Sequence, residues 1–154
     1  MGYRKILVAL DRSELAKEVL RQAIALGQKE SSQLMLFYCI PVDSQDLSIY
    51  PSFYGEAAIG FSQVIKEHLE EQQTEAREWL QSIVQQVQED GVTCEWDVKV
   101  GEPGRWIRDM AKNWDADLVV LGRRGLKGLA EVFLGSVSSY VIHQVQCSVL
   151  IVQH

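Results

Sequence analysis

Long hydrophobic runs are missing from this chain. No apolar stretch approaches the roughly 20 residues that cross a bilayer, so no membrane contact is expected. Arg4 and Lys5 stand near the N-terminus, but the apolar run behind them stops at Asp11. That run is too short for a secretory leader, and the cytoplasm is the expected compartment. Cysteine is scarce: Cys39, Cys94 and Cys147 lie far apart, with no C-x-x-C pair. Each sits in or beside an apolar segment, where a free thiol packs as a small hydrophobe. His68, His143 and His154 share no metal-ligand spacing with one another or with cysteine, so no structural zinc is expected. Basic charge is also short, with 15 Lys and Arg against 21 Asp and Glu and a net charge of −6. A broad nucleic-acid surface needs a basic face, so none is expected. Neither a G-x-S-x-G elbow nor a G-x-x-x-x-G-K-[ST] loop occurs, which disfavours nucleophilic hydrolase and P-loop chemistry.

What is present alternates. Lys5 to Leu10, Leu34 to Ile40 and Leu118 to Leu121 are apolar runs of the kind that form strands buried on both faces. Leu15, Val19, Ala23 and Leu26 recur at helical spacing, with Asp11 as cap, Glu14 completing a capping box and Gly27 near the end. Phe61, Ile65, Leu69, Ala76, Leu80, Ile83, Val84 and Val87 mark a long amphipathic helix ended by Asp90-Gly91. Its acidic face reads as solvated. Cys94, Trp96, Val98 and Val100 alternate with charged residues, so this third strand belongs at a sheet edge. Pro103 opens a helix with Trp106, Ile107, Met110, Ala111 and Trp114 on its core side. Strands alternating with helices give an α/β fold, a parallel sheet covered on both faces. Pro41 to Gly60 is irregular and holds the rings of Tyr50, Phe53 and Tyr54. They form either a satellite cluster under the loop or a lid.

The richest segment runs from Gly122 to Ser138. It follows a strand and precedes a helix. Between Gly122 and Ala130 it holds Arg123, Arg124 and Lys127 and no anion. The first amides of a helix lack intrahelical partners and carry partial positive charge. Glycine lets an anion approach the backbone, and serine hydroxyls add donors. The junction therefore reads as a phosphate site, or as a glycine-punctuated loop ended by a serine cap.

Gly122-x2-Gly125-x9-Gly135-Ser136 resembles the nucleotide-binding pattern of the universal stress protein family, in its ATP-binding branch. Lys5 to Ser13, Val100-Gly101-Glu102-Pro103, Ala116 to Gly122 and Cys147 to Val152 resemble further pieces of that family in the same order. The resemblance runs from about Tyr3 to Val152 and implies one domain over residues 1–154. It implies a Rossmann-like five-stranded parallel sheet of order 3-2-1-4-5, with ligand at the carboxyl ends of strands one and four. ATP with Mg²⁺ is the implied cofactor. Ala9, Leu10 and Asp11 would lie along the adenosine side, Asp11 as partner of ribose hydroxyls or an adenine edge, as helix cap, or as both. Ile40 would pack on adenine. Leu121 and Gly122 would bring backbone to the ribose. Gly125, Gly135, Ser136, Val137 and Ser138 would cradle phosphates. Arg124 or Lys127 would touch a phosphate or stay solvated. No catalytic residue is implied. The expected work is that of a nucleotide-dependent regulatory module read by a protein partner, with slow ATP hydrolysis or self-phosphorylation as the alternative. Two departures stand out: Arg12 replaces the glycine that often follows the aspartate, and Ser148 stands where proline is common. The apolar run Val149 to Val152 falls at a sheet edge with nothing evident to cover it, so a homodimer built on this last strand is expected, with the free Ser148 N–H adding to the shared ladder.

Overall fold

Each apolar run becomes a strand, and each periodic segment between them a helix. The computed structural model describes residues 2–42, 56–123 and 134–153. In chain order the elements are β1 (Lys5–Leu10), α1 (Leu15–Glu30), β2 (Gln33–Pro41), α2 (Glu56–Glu89), β3 (Thr93–Gly101), α3 (Pro103–Asn113), β4 (Leu118–Gly122), α4 (Ser136–Gln144) and β5 (Ser148–Val152). The aromatic segment Tyr50 to Gly55 lies outside the described residues, as do Arg124, Gly125 and Lys127.

The five strands form one parallel sheet in the order β3-β2-β1-β4-β5, the order the family resemblance implies, with the alternating third strand at one edge. The two connections β1-α1-β2 and β2-α2-β3 step one way across the sheet, so right-handed crossovers put α1 and α2 on one face. There Ile6, Val8, Leu10, Leu34 and Leu36 pack with Val19, Ala23, Leu80 and Val87. On the other face Leu7, Phe37 and Val119 pack with Ile107 and Ala111 of α3 and Val141 of α4. The tryptophans of α3 belong to this packing. Trp106 Nε1 donates to the Val100 carbonyl at 3.0 Å, and Trp114 Nε1 to Glu95 Oε2 at 3.0 Å. At the amino ends of the strands, Asp117 Oδ2 accepts from the Arg4 and Lys5 amides at 2.9 Å each, joining β1 to β4.

Four local expectations are corrected. The capping box does not form, because the chain makes a turn before the helix begins. Glu14 is already in the right-handed helical region with no side-chain cap, and its carboxylate pairs with Lys17 at 3.0 Å. Gly27 does not stop α1, which runs on to Glu30 and ends at Ser31 with φ 55°. The glycine serves close approach instead: a Cβ there would lie 3.2 Å from Val92 Cγ1 and 3.3 Å from Leu34 Cδ2. Helix α2 starts at Glu56, inside the stretch read as irregular. The Ser148 amide is not free, since it donates to the Asp117 carbonyl at 3.3 Å.

A tight contact also joins α3 to α4. A Cβ on Gly104 would lie 2.8 Å from Tyr140 Cδ1. Helix propensity favours alanine over glycine by roughly 1 kcal/mol, but overpacking costs about 1–3 kcal/mol. Gly104→Ala is therefore expected to lower the thermal midpoint by a few degrees; a midpoint at or above wild type would contradict this contact.

Candidate functional site

The carboxyl ends of β1 and β4 lie side by side, with Val8 in register with Val120. From there β1 leads to α1 on one face, and β4 leads towards α4 on the other. That reversal leaves a crevice between the strand ends, the usual place for a ligand in an open α/β sheet. Ala9 and Leu10 end β1, with Asp11 just past it, and Leu121 and Gly122 end β4. Leu10, Leu121 and Ile40 are almost wholly buried. Ile40 packs in the core between the sheet and helices α1 and α2, so what it can offer a base is strand-end backbone.

Helix α4 is brought back to the same place by Arg123. The Gly135 amide donates to the Arg123 carbonyl at 2.8 Å. The Ser138 hydroxyl donates to that carbonyl at 2.8 Å, with the Gly135 carbonyl 3.1 Å away. Arg123 in turn donates its amide to the Val152 carbonyl at 2.9 Å, tying the junction to β5. Ser138 is thus buried and its hydroxyl proton committed to the backbone. Ser136 is exposed and Gly135 and Val137 are half-buried. Among the described residues no side chain caps α4, and its first turn holds no acid. The helix therefore presents its opening amides and partial positive charge with no neutralising group among the described residues of its first turn. Gly135, with φ −64° and ψ 162°, is in an extended conformation open to any residue.

In the turn after β1, Asp11 Oδ1 accepts the Ser13 amide at 2.9 Å and the Ser13 hydroxyl in a short bond. Among the described residues Oδ2 makes no hydrogen bond. The following residue, Arg12, lies against Trp79 and Tyr38. Burial raises the pKa of the Tyr38 phenol, and the Arg12 charge opposes that rise. The sequence reading did not single out this trio. Trp79 carried a signal, since Ala76, Trp79 and Ile83 continue the helical spacing of α2; the pairing of Tyr38 with Leu10 across strands did not.

Cys39 and Cys94 are free and buried. Burial pushes the Cys39 and Cys94 thiols up to about 12, leaving them protonated at neutral pH. Among the described residues no group of three or more His, Cys, Asp or Glu side chains is placed to hold a metal ion. No helix among them is long and apolar enough to cross a membrane.

Comparison with known proteins identifies the family and the fold. The sequence profile of the universal stress protein family matches residues 2–153. Universal stress protein Sll1388 of Synechocystis is 96% identical over 154 residues, covering 100% of both chains. The structure of universal stress protein UspA from Lactobacillus plantarum superposes with a TM-score of 0.81 at 26% identity, covering 99% of each chain. A universal stress protein from Archaeoglobus fulgidus, solved in complex with dAMP, gives 0.61 at 23% identity over 98% of each chain. The chain described here belongs to the universal stress protein family.

Proposed function

We propose that this chain binds an adenine nucleotide, ATP with Mg²⁺, in the crevice between β1 and β4, and that the bound state changes a surface read by a protein partner in the cytoplasm. One observation carries the reading: the amino end of α4, without a side-chain cap among the described residues, is tied to Arg123 just past β4, and the half-engaged carboxylate of Asp11 follows the adjacent strand β1. An anion suits the first and a pair of ribose hydroxyls the second. The dAMP complex of the Archaeoglobus fulgidus relative is consistent with a nucleotide on this fold. Ser136 Oγ and the opening amides of α4 would hold phosphate oxygens, while Gly122 would let the backbone approach the sugar. Arg124, Gly125 and Lys127 would complete the phosphate side. Mg²⁺ commonly enters such sites on the phosphates, keeping several waters and needing only one or two protein oxygens. Ser136 can supply one.

A single-turnover assay with labelled ATP separates binding from catalysis. Retention of intact ATP supports a binding module, whereas release of ADP, or label transferred to protein, would make the chain an enzyme. A protein that shows no retention of ATP and no turnover overturns the proposal.

The carboxylate can be tested apart from the turn that it holds. Asn at position 11 keeps an acceptor for the Ser13 amide and removes the charge. Asp11→Asn is expected to weaken ATP by about tenfold, the scale of one charge-assisted bond, with an unchanged melting temperature. Equal affinity in the folded variant would leave Asp11 as a turn cap only.

The same reading includes a homodimer through β5. Val149, Leu150 and Ile151 are only partly covered on an edge strand, and Ile142 of α4 is 41% exposed. A second copy pairing across a two-fold axis would satisfy both edges.

A further inference from the structure

The turn after β1 is tied to the long helix α2 through one side chain. The Arg12 guanidinium lies 4.1 Å from the centre of the Trp79 ring and 5.9 Å from that of Tyr38. The two rings meet edge to face, 5.2 Å apart at 80°. Tyr38 is the register partner of Leu10 on the neighbouring strand. Thus the β1 turn, β2 and α2 converge on a single cation. The same turn opens onto a groove of about 640 Å³ between α1 and α2, whose lining includes Asp11, Arg12, Leu20, Ile24, Trp79 and Ile83. Arg12 and the ring it stacks on, Trp79, both belong to that lining. Among the described residues Arg12 makes no ion pair. Its charge rests on ring faces, where the quadrupole attracts a cation.

Asp11 directly precedes this anchor. Ser13 pins one of its oxygens from one side, and the stacked Arg12 holds the backbone from the other. We propose that Arg12 is a positioning residue of the nucleotide site: its stack on Trp79 and Tyr38 fixes the turn so that the second Asp11 oxygen meets a nucleoside hydroxyl. The inference rests on the nucleotide reading given above. It explains why an arginine serves where a small residue would leave more room. An arginine that only filled the crevice would hinder the ligand; one drawn aside onto Trp79 leaves the crevice open and stiffens its wall. A misplaced partner group loses affinity even when every contact group remains.

The test is a double-mutant cycle read by calorimetric titration of ATP with Mg²⁺ into the full chain. Arg12→Ala and Trp79→Leu should each weaken binding by about three- to tenfold, the range of a cation–ring contact. The double variant should be no worse than the poorer single, because either change breaks the same contact. Arg12→Lys keeps the cation and should recover most of the affinity, which a role in bulk packing would not predict. Arg21→Ala removes a cation lining the same groove but already paired with Glu18, and should bind as wild type does. Melting curves without nucleotide check that each variant is folded; if Trp79→Leu is not, Trp79→Phe replaces it in the cycle. Wild-type affinity in Arg12→Ala, or fully additive losses in the double variant, overturns the positioning role while the nucleotide site stands. A wild type that takes up no adenine nucleotide overturns the site and this role together.

Discussion

Gly135→Val is expected to leave the fold intact and to weaken ATP binding by about a hundredfold, the loss of two charge-assisted hydrogen bonds. The backbone of Gly135 is extended rather than left-handed, so valine meets no conformational barrier there. Its amide bond to the Arg123 carbonyl survives, as does that from the Ser138 hydroxyl. What changes is the space in front of the first α4 amides, where a branched side chain would stand in the path of a phosphate oxygen. The measurement is a calorimetric titration beside a melting curve. Wild-type affinity in a folded Gly135→Val protein would remove the amino end of α4 from the site.

Ile151→Pro is expected to convert a dimer into a monomer without unfolding it. Position decides the effect. The Ser148 amide donates to Asp117, and the Val152 carbonyl accepts from Arg123. Residues 148, 150 and 152 therefore turn their backbone groups towards β4, and Val149 and Ile151 turn theirs outwards. Proline at an outward edge position deletes a donor that only a second copy would use. Leu150→Pro would instead remove a bond of the chain's own ladder and test stability. Solution mass at high micromolar concentration is the readout. A monomeric wild type, or an Ile151→Pro protein that remains dimeric, would contradict pairing through β5.

Much of this architecture was legible because buried parallel strands announce themselves. Ile6, Leu7 and Val8 sit in an unbroken apolar run and are fully buried, whereas β3 alternates and lies at the edge. The strand order followed from that contrast and from the family resemblance. Local ends were harder. Asp11 and Glu14 have the spacing of a capping box, but the turn bond to Ser13 competes for the carboxylate and moves the helix start to Leu15. Gly27 looked like a stop because glycine often is one; its neighbours Val92 and Leu34, distant in sequence, give it another reason. The start of α2 was hidden by the aromatic and glycine residues before it, which carry no helical period.

The site was legible in the same uneven way. Glycine and serine spacing marked the α4 end, and the acid after β1 marked the other side. The roles within the motif were not separable from spacing. Ser136 and Ser138 look equivalent in sequence, yet one is exposed and the other is buried with its hydroxyl on Arg123. That difference arises from the helical turn, which puts residue 138 against the sheet and residue 136 at the open end. Arg12 depended on two partners far along the chain, Tyr38 and Trp79, and no local pattern reveals such a meeting.

The most direct test of the central claim is amide mapping by NMR on the 17.4 kDa chain, titrated with ATP and Mg²⁺. Nucleotide between β1 and β4 predicts the largest shifts at Asp11, Gly122, Gly135, Ser136 and Val137, with amides in α3 little changed. Shifts confined to Leu20, Ile24, Trp79 and Ile83 in the groove between α1 and α2, with Gly122, Gly135 and Ser136 unmoved, or none at millimolar ATP, would contradict it.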